Sequence, residues 1–519
     1  MSEFDFEISR RKLLAAAGLG GGAVLASALL SPGEAAEPSR AASAPPVMGL
    51  HLQFGEDAAS EIVASWHTLE PVQNPRMLLG YLDGTPVAAA QAESATYTDA
   101  KSGRLVHAWH ARLAKLTPGT SYMYAALHDG AEPEFGTFTA APRGRAAFTF
   151  TSFGDQGTPT LGKAMPQAGG AAVYLNDNLG SPFAADTVLG VERVKPLFHL
   201  LNGDLCYANL AEDRIRTWWD FWANNSRSAK NRPWMPAPGN HENERGNGAI
   251  GYRAYQTYFA LPATQGQTEA TRGLWYGFTV GSVRVIVLAN DDVAYQDGGD
   301  SYVRGYSNGA QAAWLEKELA ATRANRAIDW IVICMHQVAI STADKFNGAD
   351  LGIREEWLPL FDRYGVDLVL CGHEHHYERS HPLRGHDENA TLTPRAAATA
   401  TDAIDTTKGT VHMVIGGGGT SIPSNQLFFD PPHCRVITRV GEPGANGKRA
   451  PVYVTEDAPW SAVRNAARAY GFAHFAVDPG QAPGSRTSII VTYYDVVGRD
   501  GQVSPFEKFV LHRPRRDGA

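Results

Sequence analysis

The stretch HLLNGDLCYANL, residues 199–210, begins as an apolar run and turns polar at Gly203. Within four residues it offers Asp204, Cys206 and Tyr207, three side chains that can bind a metal ion. A buried strand that ends on an acidic residue is typical of an α/β sheet with a ligand site at the carboxyl ends of its strands. Which of the three side chains binds a metal depends on the ligands that other parts of the chain supply.

Four further apolar runs end on ligand-type residues in the same way. These runs and the residues that follow them are AFTFTSF before Gly154-Asp155-Gln156-Gly157, PWMPAP before Gly239-Asn240-His241-Glu242, DWIVICM before His336, and VDLVLC before Gly372-His373-Glu374-His375. The glycines let the backbone turn sharply, so that a short side chain can point at a shared ion. Five such strand ends in one chain predict a single shared metal site.

The predicted ligands are oxygen and nitrogen donors, a set that suits Fe, Zn or Mn rather than Cu(I) or an iron–sulfur cluster. They are Asp155, Asp204, Tyr207, Asn240, His336, His373 and His375. Seven ligands are too many for one ion, and a carboxylate can bridge two. Two ions about 3.5 Å apart stabilise in-line displacement at phosphorus. The sequence therefore predicts a dinuclear site.

Several nearby residues are predicted to have structural roles only. Cys206 could supply a thiolate, but a buried thiol packed under the loop is the favoured interpretation, and the same holds for Cys334 and Cys371. Four cysteines do not imply a disulfide framework. His199 is expected to be buried and hydrogen-bonded. The GGGGT stretch, residues 416–420, lacks the lysine and helix of a P-loop and is predicted to form a tight loop near the metals.

Residues 46–143 are predicted to form a β-sandwich. GLHLQF, SEIVASWHT and LVHAWHARLAKL alternate apolar and polar residues, as half-buried strands do. LTPGTSYMYAALHDG resembles a fibronectin type III strand pair. Trp66 and Tyr122 are expected in the core of this domain.

From about residue 146 to 515, strand-like runs alternate with helical stretches, which predicts an α/β or α+β layered domain. The predicted helices include DRIRTWWDFWANNSR and GAQAAWLEKELAATRANR, and RTSIIVTYYDVVGRDG is predicted to be a strand and turn that close the sheet. Residues 158–186 and 386–410 are rich in small and polar residues and are predicted to be surface loops that bury little.

The N-terminal region resembles a twin-arginine export signal. Ser9-Arg10-Arg11 precedes a Gly/Ala-rich, moderately apolar stretch, and small residues surround Ala35 and Ala36. A membrane anchor is the alternative, because residues 13–30 are long enough to span a bilayer. Residues 1–36 are predicted to be a signal peptide and 37–45 a linker, which implies a bacterial protein that is exported and keeps no stable membrane span.

The composition is that of an ordinary globular protein. The chain has 519 residues, 44% of them hydrophobic and 19% charged, with a net charge of -8. The acidic balance argues against a nucleic-acid-binding protein. It does not exclude small phosphorylated substrates, which respond to local charge, and it leaves the oligomeric state open.

The ordered motifs G-D-x-G, G-D-x-x-Y, G-N-H-E, a lone histidine after a strand, and G-H-x-H resemble those of the purple acid phosphatases, in the calcineurin-like metallophosphoesterase superfamily. The N-terminal sandwich resembles that of the larger, plant-like members. The resemblance implies a second domain with four α/β/β/α layers. It also implies an acid phosphatase that hydrolyses phosphomonoesters by attack of a metal-bound hydroxide.

The resemblance also implies a role for each ligand. Asp155, Tyr207 and His375 would bind Fe(III), and Asn240, His336 and His373 would bind a divalent ion, Zn, Fe or Mn. Asp204 would bridge the two ions. His241 would steady the phosphate or protonate the leaving oxygen. Phenolate and carboxylates are hard donors that suit Fe(III), which agrees with these roles.

The chain departs from the family pattern directly after His336, where plant-like members carry further substrate-binding histidines and residues 337–357 of this chain contain none. Lys345, Asn347 or His376 are the candidates to contact substrate in their place, and Arg379 is a candidate supporting residue. A phosphodiesterase or nucleotide pyrophosphatase is the alternative on the same metals. A non-catalytic surface-binding protein is the alternative from another class.

Overall fold

The computed structural model describes residues 44–159, 163–166, 172–175, 179–248, 250–296, 302–445 and 448–518, with backbone only at 163–166 and 172–175. The predicted signal peptide and nearly all of the predicted linker lie outside these residues. No helix in the described part of the chain is both long and apolar enough to cross a membrane.

The N-terminal domain is all-β, as predicted. Its strands are β1 (Met48–Phe54), β2 (Ile62–Thr68), β3 (Arg76–Tyr81), β4 (Pro86–Thr98), β5 (Leu105–Leu113), β6 (Ser121–Leu127) and β7 (Glu134–Thr139). They pair antiparallel in the order β1-β2-β5-β4-β3-β6-β7. The long strand β4 pairs with β3 through its first half and with β5 through its second half. Trp66 and Tyr122 are buried in the core, which confirms that prediction.

The second domain contains the remaining strands. They are β8 (Phe148–Phe153), β9 (Lys163–Pro166), β10 (Ala172–Leu175), β11 (Phe198–Asn202), β12 (Trp234–Ala237), β13 (Tyr276–Val280), β14 (Val283–Val287), β15 (Trp330–Cys334), β16 (Ala349–Asp350), β17 (Leu368–Cys371), β18 (Tyr377–Ser380), β19 (Leu383–His386), β20 (Pro394–Ala396), β21 (Ala403–Asp405), β22 (Val411–Ile415), β23 (His433–Pro443), β24 (Arg449–Asp457), β25 (Ser461–Arg464), β26 (Gly471–Asp478), β27 (Arg486–Gly498) and β28 (Gln502–Pro514). The closing strand predicted from RTSIIVTYYDVVGRDG is β27.

Two seven-stranded sheets form the centre of this domain. One has the order β12-β11-β8-β26-β27-β28-β21, and the other has the order β13-β14-β15-β17-β22-β18-β25. Strands β8, β11 and β12 run parallel in the first sheet, and β14, β15, β17 and β22 run parallel in the second. The carboxyl ends of the parallel strands therefore gather at one edge of each sheet, where ligand sites form.

Burial along β15 shows how the layers stack. Trp330, Val332 and Cys334 face the core between the two sheets, whereas Ile331 and Ile333 face a second core beneath the outer helices. Both faces of the strand are covered, so its sequence is apolar throughout, as in a sheet between two layers. This arrangement is the α/β/β/α architecture that the resemblance implied.

The helices are α1 (Phe183–Val194), α2 (Arg214–Ala229), α3 (Arg253–Tyr258), α4 (Ala310–Ala324), α5 (Leu351–Glu356) and α6 (Leu358–Tyr364). The two helices predicted from sequence, α2 and α4, are confirmed. Asp213 caps α2 by accepting a hydrogen bond from the backbone N–H of Arg216 at 3.0 Å. Trp222 of α2 stacks on His51 of β1 with 3.5 Å between ring centroids, so the sandwich packs directly on the second domain.

The prediction that residues 386–410 bury little was wrong in part. This segment contains β20 and β21, and Ile404 is fully buried because β21 adds to the edge of the first sheet beside β28. Arg354 also donates to the carbonyl of Thr391 at 2.8 Å and holds the segment down. A single isoleucine among polar residues forms no periodic pattern, so the sequence did not indicate that Ile404 is buried. In the other predicted loop, 158–186, helix α1 begins at Phe183 and buries Ala184.

Candidate metal centre

The structure brings the seven predicted ligands together at the carboxyl ends of five strands. Asp155 follows β8, Asp204 and Tyr207 follow β11, and Asn240 follows β12. His336 follows β15, and His373 and His375 follow β17. All seven side chains are buried, and their polar atoms form one continuous network of contacts.

Four of these residues have a left-handed backbone conformation that is unusual for side-chain-bearing residues. The φ angles are 58° at Asp155, 50° at Asp204, 57° at Tyr207 and 71° at His373. Each such residue costs on the order of 1–3 kcal/mol unless its surroundings hold it in place, and such residues cluster at functional sites. The fold therefore holds these four residues in an unfavourable backbone conformation that directs their side chains towards the centre.

One group of donors contains Tyr207, Asp155 and His375. The Tyr207 Oη lies 3.3 Å from Asp155 Oδ1 and 3.2 Å from His375 Nε2, and His375 Nε2 lies 3.2 Å from Asp155 Oδ1. His375 Nδ1 donates to the Ile422 carbonyl at 2.6 Å, so its Nε2 carries the lone pair that faces the group.

A second group surrounds His336. The His336 Nε2 lies 3.0 Å from Asn240 Oδ1, 3.0 Å from Asp204 Oδ2 and 3.2 Å from His373 Nδ1. The ligand atoms of Asp204, His336 and His373 all lie within 4.8 Å of one another. His336 Nδ1 donates to the Asn202 carbonyl at 2.7 Å and fixes the ring.

Both groups fit metal ions. A single proton on His336 Nε2 can satisfy only one of three neighbouring acceptors, whereas a cation among them can satisfy all of them. Donors about 2.1 Å from a metal at tetrahedral or octahedral angles lie about 3.0–3.4 Å from one another. The observed separations match this spacing, so the residues present fit two metal positions.

The electrostatics of the centre agree with this fit. Burial would lower the pKa of His336, but the Asp204 carboxylate outweighs it and raises the pKa to about 10. Burial would raise the pKa of Asp204, but His336 and His241 hold it well below its usual range. Burial, followed by the charge of Asp155, raises the pKa of the Tyr207 phenol well above 10. Metal binding must therefore release protons from His336 and Tyr207, whereas Asp204 is already ionised.

His241 lies at the edge of the centre, next to Asp204. Its backbone N–H donates to Asp204 Oδ1 at 2.9 Å, and its ring Nε2 lies 3.9 Å from Asp204 Oδ2. Its Nδ1 donates to Asn209 Oδ1 at 2.9 Å, which directs Nε2 towards the carboxylate. Burial lowers the pKa of His241, and Asp204 opposes this shift.

The other three substrate candidates do not join this network of donors. The Lys345 side chain is 85% exposed and lies 4.0 Å from Asp344. Asn347 donates from its side chain to the carbonyl of His373 at 2.6 Å. His376 is buried between Ser424 and Glu378.

Among the supporting residues, Arg379 forms an ion pair with Glu507 rather than with the centre. The cysteines are buried free thiols, and Cys206 belongs to the apolar core, as predicted. His199 is buried and bonded to Thr151 at 2.8 Å, also as predicted. The tight loop at 416–420 contacts the centre, because Thr420 donates from its backbone to the carbonyl of Asp155 at 3.1 Å.

Two supporting residues were not identified from the sequence. The Glu242 carboxylate accepts backbone hydrogen bonds from Gly239 at 2.7 Å, Asp204 at 2.9 Å and Leu205 at 2.8 Å. It thus ties two ligand loops together, and burial together with Asp204 raises its pKa to about 8. The other is Asn209, which orients His241. Asn209 could have been identified from the sequence, because its polar side chain lies only two residues after Tyr207.

Comparisons with known proteins match both domains of the chain. Residues 176–377 match the family model described as calcineurin-like phosphoesterase, and residues 47–142 match the purple acid phosphatase N-terminal domain. The chain is 58% identical over 518 residues to an uncharacterised protein of Mycobacterium tuberculosis strain H37Rv, covering 98% of this chain and 96% of that protein. It is 26% identical to a purple acid phosphatase of Glycine max, covering 72% of each chain.

Among solved structures, a purple acid phosphatase from yellow lupin seeds shares the fold with a TM-score of 0.63. The sequence identity is 21%, and the match covers 91% of this chain and 75% of that one. The fold, the ligand loops and the family models together define a metallophosphoesterase, an enzyme of the phosphatase type. Within that class, the two family models, which together match more than half of the chain, show that it belongs to the purple acid phosphatase family.

Proposed function

We propose that this protein is an exported dinuclear acid phosphatase that hydrolyses phosphomonoesters of small molecules. The observation that carries the proposal is the pair of donor groups, one at Tyr207 and one at His336, with the Asp204 carboxylate at the second of them. A phosphodiesterase or pyrophosphatase on the same centre is the alternative, and the choice of substrate distinguishes the two.

The donor chemistry supports a mixed-metal centre. Tyr207, Asp155 and His375 would hold Fe(III), because phenolate and carboxylate are hard donors. Asn240, His336 and His373 would hold Zn, Fe or Mn in the divalent state, and Asp204 would bridge the two ions. Two such ions lower the pKa of coordinated water and neutralise charge on phosphoryl oxygens.

His241 supplies the remaining proton chemistry in this proposal. Its Nδ1 is held by Asn209, so Nε2 is the nitrogen that faces the centre. With the ring protonated, Nε2–H donates a hydrogen bond to a phosphoryl oxygen and then passes its proton to the leaving-group oxygen as the P–O bond breaks. Mild acid keeps more of this ring protonated, in keeping with an acid phosphatase.

Export is proposed from the N-terminal sequence, with residues 1–36 as a twin-arginine signal, 37–45 as a linker, and domains at 46–143 and 146–515. A fusion of residues 1–45 to a reporter that is active only when exported after folding tests the signal. Export is expected with Arg10 and Arg11 intact and is expected to be lost when both are replaced by lysine. Export of the double-lysine fusion at the wild-type level would contradict the signal.

The visible spectrum and metal content of the purified protein test the centre. Iron held by Tyr207 is expected to give a broad visible band, and Tyr207→Phe is expected to abolish it. Tyr81→Phe, on the exposed surface of the sandwich, is the matched control and should keep the colour. A Tyr207→Phe protein that retains both iron and colour would refute the assignment.

Steady-state rates then separate the two candidate reactions. The phosphatase proposal expects a higher kcat/KM on p-nitrophenyl phosphate than on bis-p-nitrophenyl phosphate. The reverse ratio supports the phosphodiesterase alternative. No hydrolysis of either ester by protein shown to contain both metals contradicts both reactions.

A further inference from the structure

Gln296 contacts the predicted metal ligand His373 from the side away from the centre. The Gln296 Oε1 lies 2.6 Å from His373 Nε2. The other ring nitrogen of His373, Nδ1, lies 3.2 Å from His336 Nε2 within the second donor group. The imidazole is therefore held between the glutamine and the candidate metal position.

The backbone around Gln296 is anchored by a buried carboxylate. Asp350 accepts hydrogen bonds from the backbone N–H of Tyr295 at 3.0 Å and of Gln296 at 2.9 Å. The same carboxylate caps helix α5 by accepting from Gly352 at 2.8 Å, and it is only 1% exposed. These bonds place the glutamine beside the ring independently of any metal.

We propose that Gln296 is a positioning residue that selects the tautomer of His373. A neutral imidazole carries one proton, and the nitrogen that bears it cannot bind a metal. When the Gln296 amide oxygen accepts a hydrogen bond from Nε2–H, Nδ1 keeps its lone pair and faces Asp204 and His336. An outer partner of this kind fixes the ring and makes the ligand atom more basic.

The opposite orientation of the amide is incompatible with a metal at this position. If the Gln296 –NH₂ donated to Nε2, the proton would lie on Nδ1 and point at His336 Nε2, 3.2 Å away. The Asn347 side-chain amide assists by donating to the main-chain carbonyl of His373 at 2.6 Å. The two amides together hold the backbone and the ring of one ligand.

The inference rests on the proposed dinuclear centre, and metal affinity tests it without an activity assay. The full-length protein that retains its iron is titrated with Zn²⁺ in competition with a chromophoric chelator. Gln296→Leu removes the acceptor at similar volume, Gln296→Glu keeps an acceptor, and Gln91→Leu on the exposed face of the sandwich is the control. The wild-type protein is measured first.

Gln296→Leu is expected to weaken Zn²⁺ binding by about 10–100-fold, the usual effect of losing an outer partner of a metal-binding histidine. Gln296→Glu and Gln91→Leu should bind Zn²⁺ close to the wild-type affinity, and the Tyr207 band should persist in all variants, which shows that they are folded.

Wild-type affinity in Gln296→Leu overturns the inference. An equal loss in Gln296→Leu and Gln296→Glu overturns it as well, because the carboxylate preserves the acceptor. A wild-type protein that binds no divalent ion contradicts the proposed function itself, so the two failures are distinguishable.

Discussion

Two regions of this molecule bury several histidines, and the pKa of His336 at the metal centre is shifted in the opposite direction from the pKa values of the rings at the other region. At the interface between the sandwich and the second domain, burial lowers the pKa of His51 and His67 to about 3 and of His110 to about 4. At the metal centre burial acts on His336 as well, but Asp204 outweighs it and the pKa rises to about 10.

The difference lies in the neighbours of each ring. His51 contacts the carbonyls of Gly49 at 2.6 Å and Tyr258 at 2.9 Å and stacks on Trp222. His336 meets a carboxylate, an amide oxygen and a second imidazole within 3.2 Å. Burial alone makes a histidine a neutral packing residue, whereas burial beside a carboxylate and two further donors gives a histidine the surroundings of a metal ligand.

The largest expected effect comes from removing the Asp204 carboxylate, which distinguishes the surroundings of His336 from those of the interface histidines. Asp204→Asn preserves the shape but removes the charge that the proposed metals share. We expect kcat/KM to fall by about 10³-fold or more, since metals supply several kcal/mol of charge stabilisation. Steady-state kinetics and metal analysis check this. Asp83→Asn, on an exposed turn, is the control, and a fully active Asp204→Asn enzyme would break the comparison.

Replacing His241 tests the proposed proton donor at the edge of the centre. His241→Asn is expected to lower kcat by about 10²–10⁴-fold on substrates with poor leaving groups, the usual contribution of a proton donor. The loss should be smaller for p-nitrophenyl phosphate, whose leaving group needs less protonation. Asn209→Leu should reproduce this pattern at about a tenth of the size, because it releases Nδ1 without removing the ring. Equal losses on both substrates would argue against proton donation.

Replacing Trp222 tests the interface between the sandwich and the second domain. Trp222→Ala removes the ring that stacks on His51 and leaves a cavity, so we expect the free energy of unfolding to fall by about 3–5 kcal/mol. The urea midpoint measures this change. The kcat of the folded fraction should stay within about twofold of the wild type, since the rings that Trp222 packs against, His51, Phe221 and Phe259, are not among the predicted ligands. A large loss of kcat in the folded variant would mean that the interface also positions the centre.

The smallest effect is a pH dependence that originates at the interface. His67 has a pKa near 3 when folded and an ordinary value near 6.5, so the folded state binds fewer protons between these values. Stability is therefore lost as pH falls below about 6.5, by about 1–2 kcal/mol per such histidine at pH 5. His67→Phe should reduce this slope in urea unfolding of the metal-free protein. An unchanged slope would show that His67 is not the source.

Much of the site was predictable because its signals are local. A strand followed by a ligand-type residue is visible in five short motifs, four of which have a glycine between the two, and the left-handed φ angles at Asp155 and Asp204 explain why the motifs that contain them turn so sharply. Strands β1, β2, β5 and β6 of the sandwich and helices α2 and α4 were also predicted, because their apolar residues and turn signals form local patterns.

Residues whose partners are distant in the chain could not be predicted in this way. Gln296 meets His373 across 77 positions, and Glu242 meets Leu205 across 37. Neither has a periodic pattern or a distinctive spacing. The same is true of Ile404, a single apolar residue whose burial depends on pairing with β28.

The sequence by itself determined the ligand types, their order along the chain and the family to which the chain belongs. Residue chemistry and the short turns that expose it are local properties. Only the tertiary structure decided which buried histidines face a carboxylate, which nitrogen of each ring is free, and that Lys345, Asn347 and His376 stay outside the network of donors. Those outcomes depend on contacts between segments far apart in the chain, and the packing of the two sheets and the sandwich sets them.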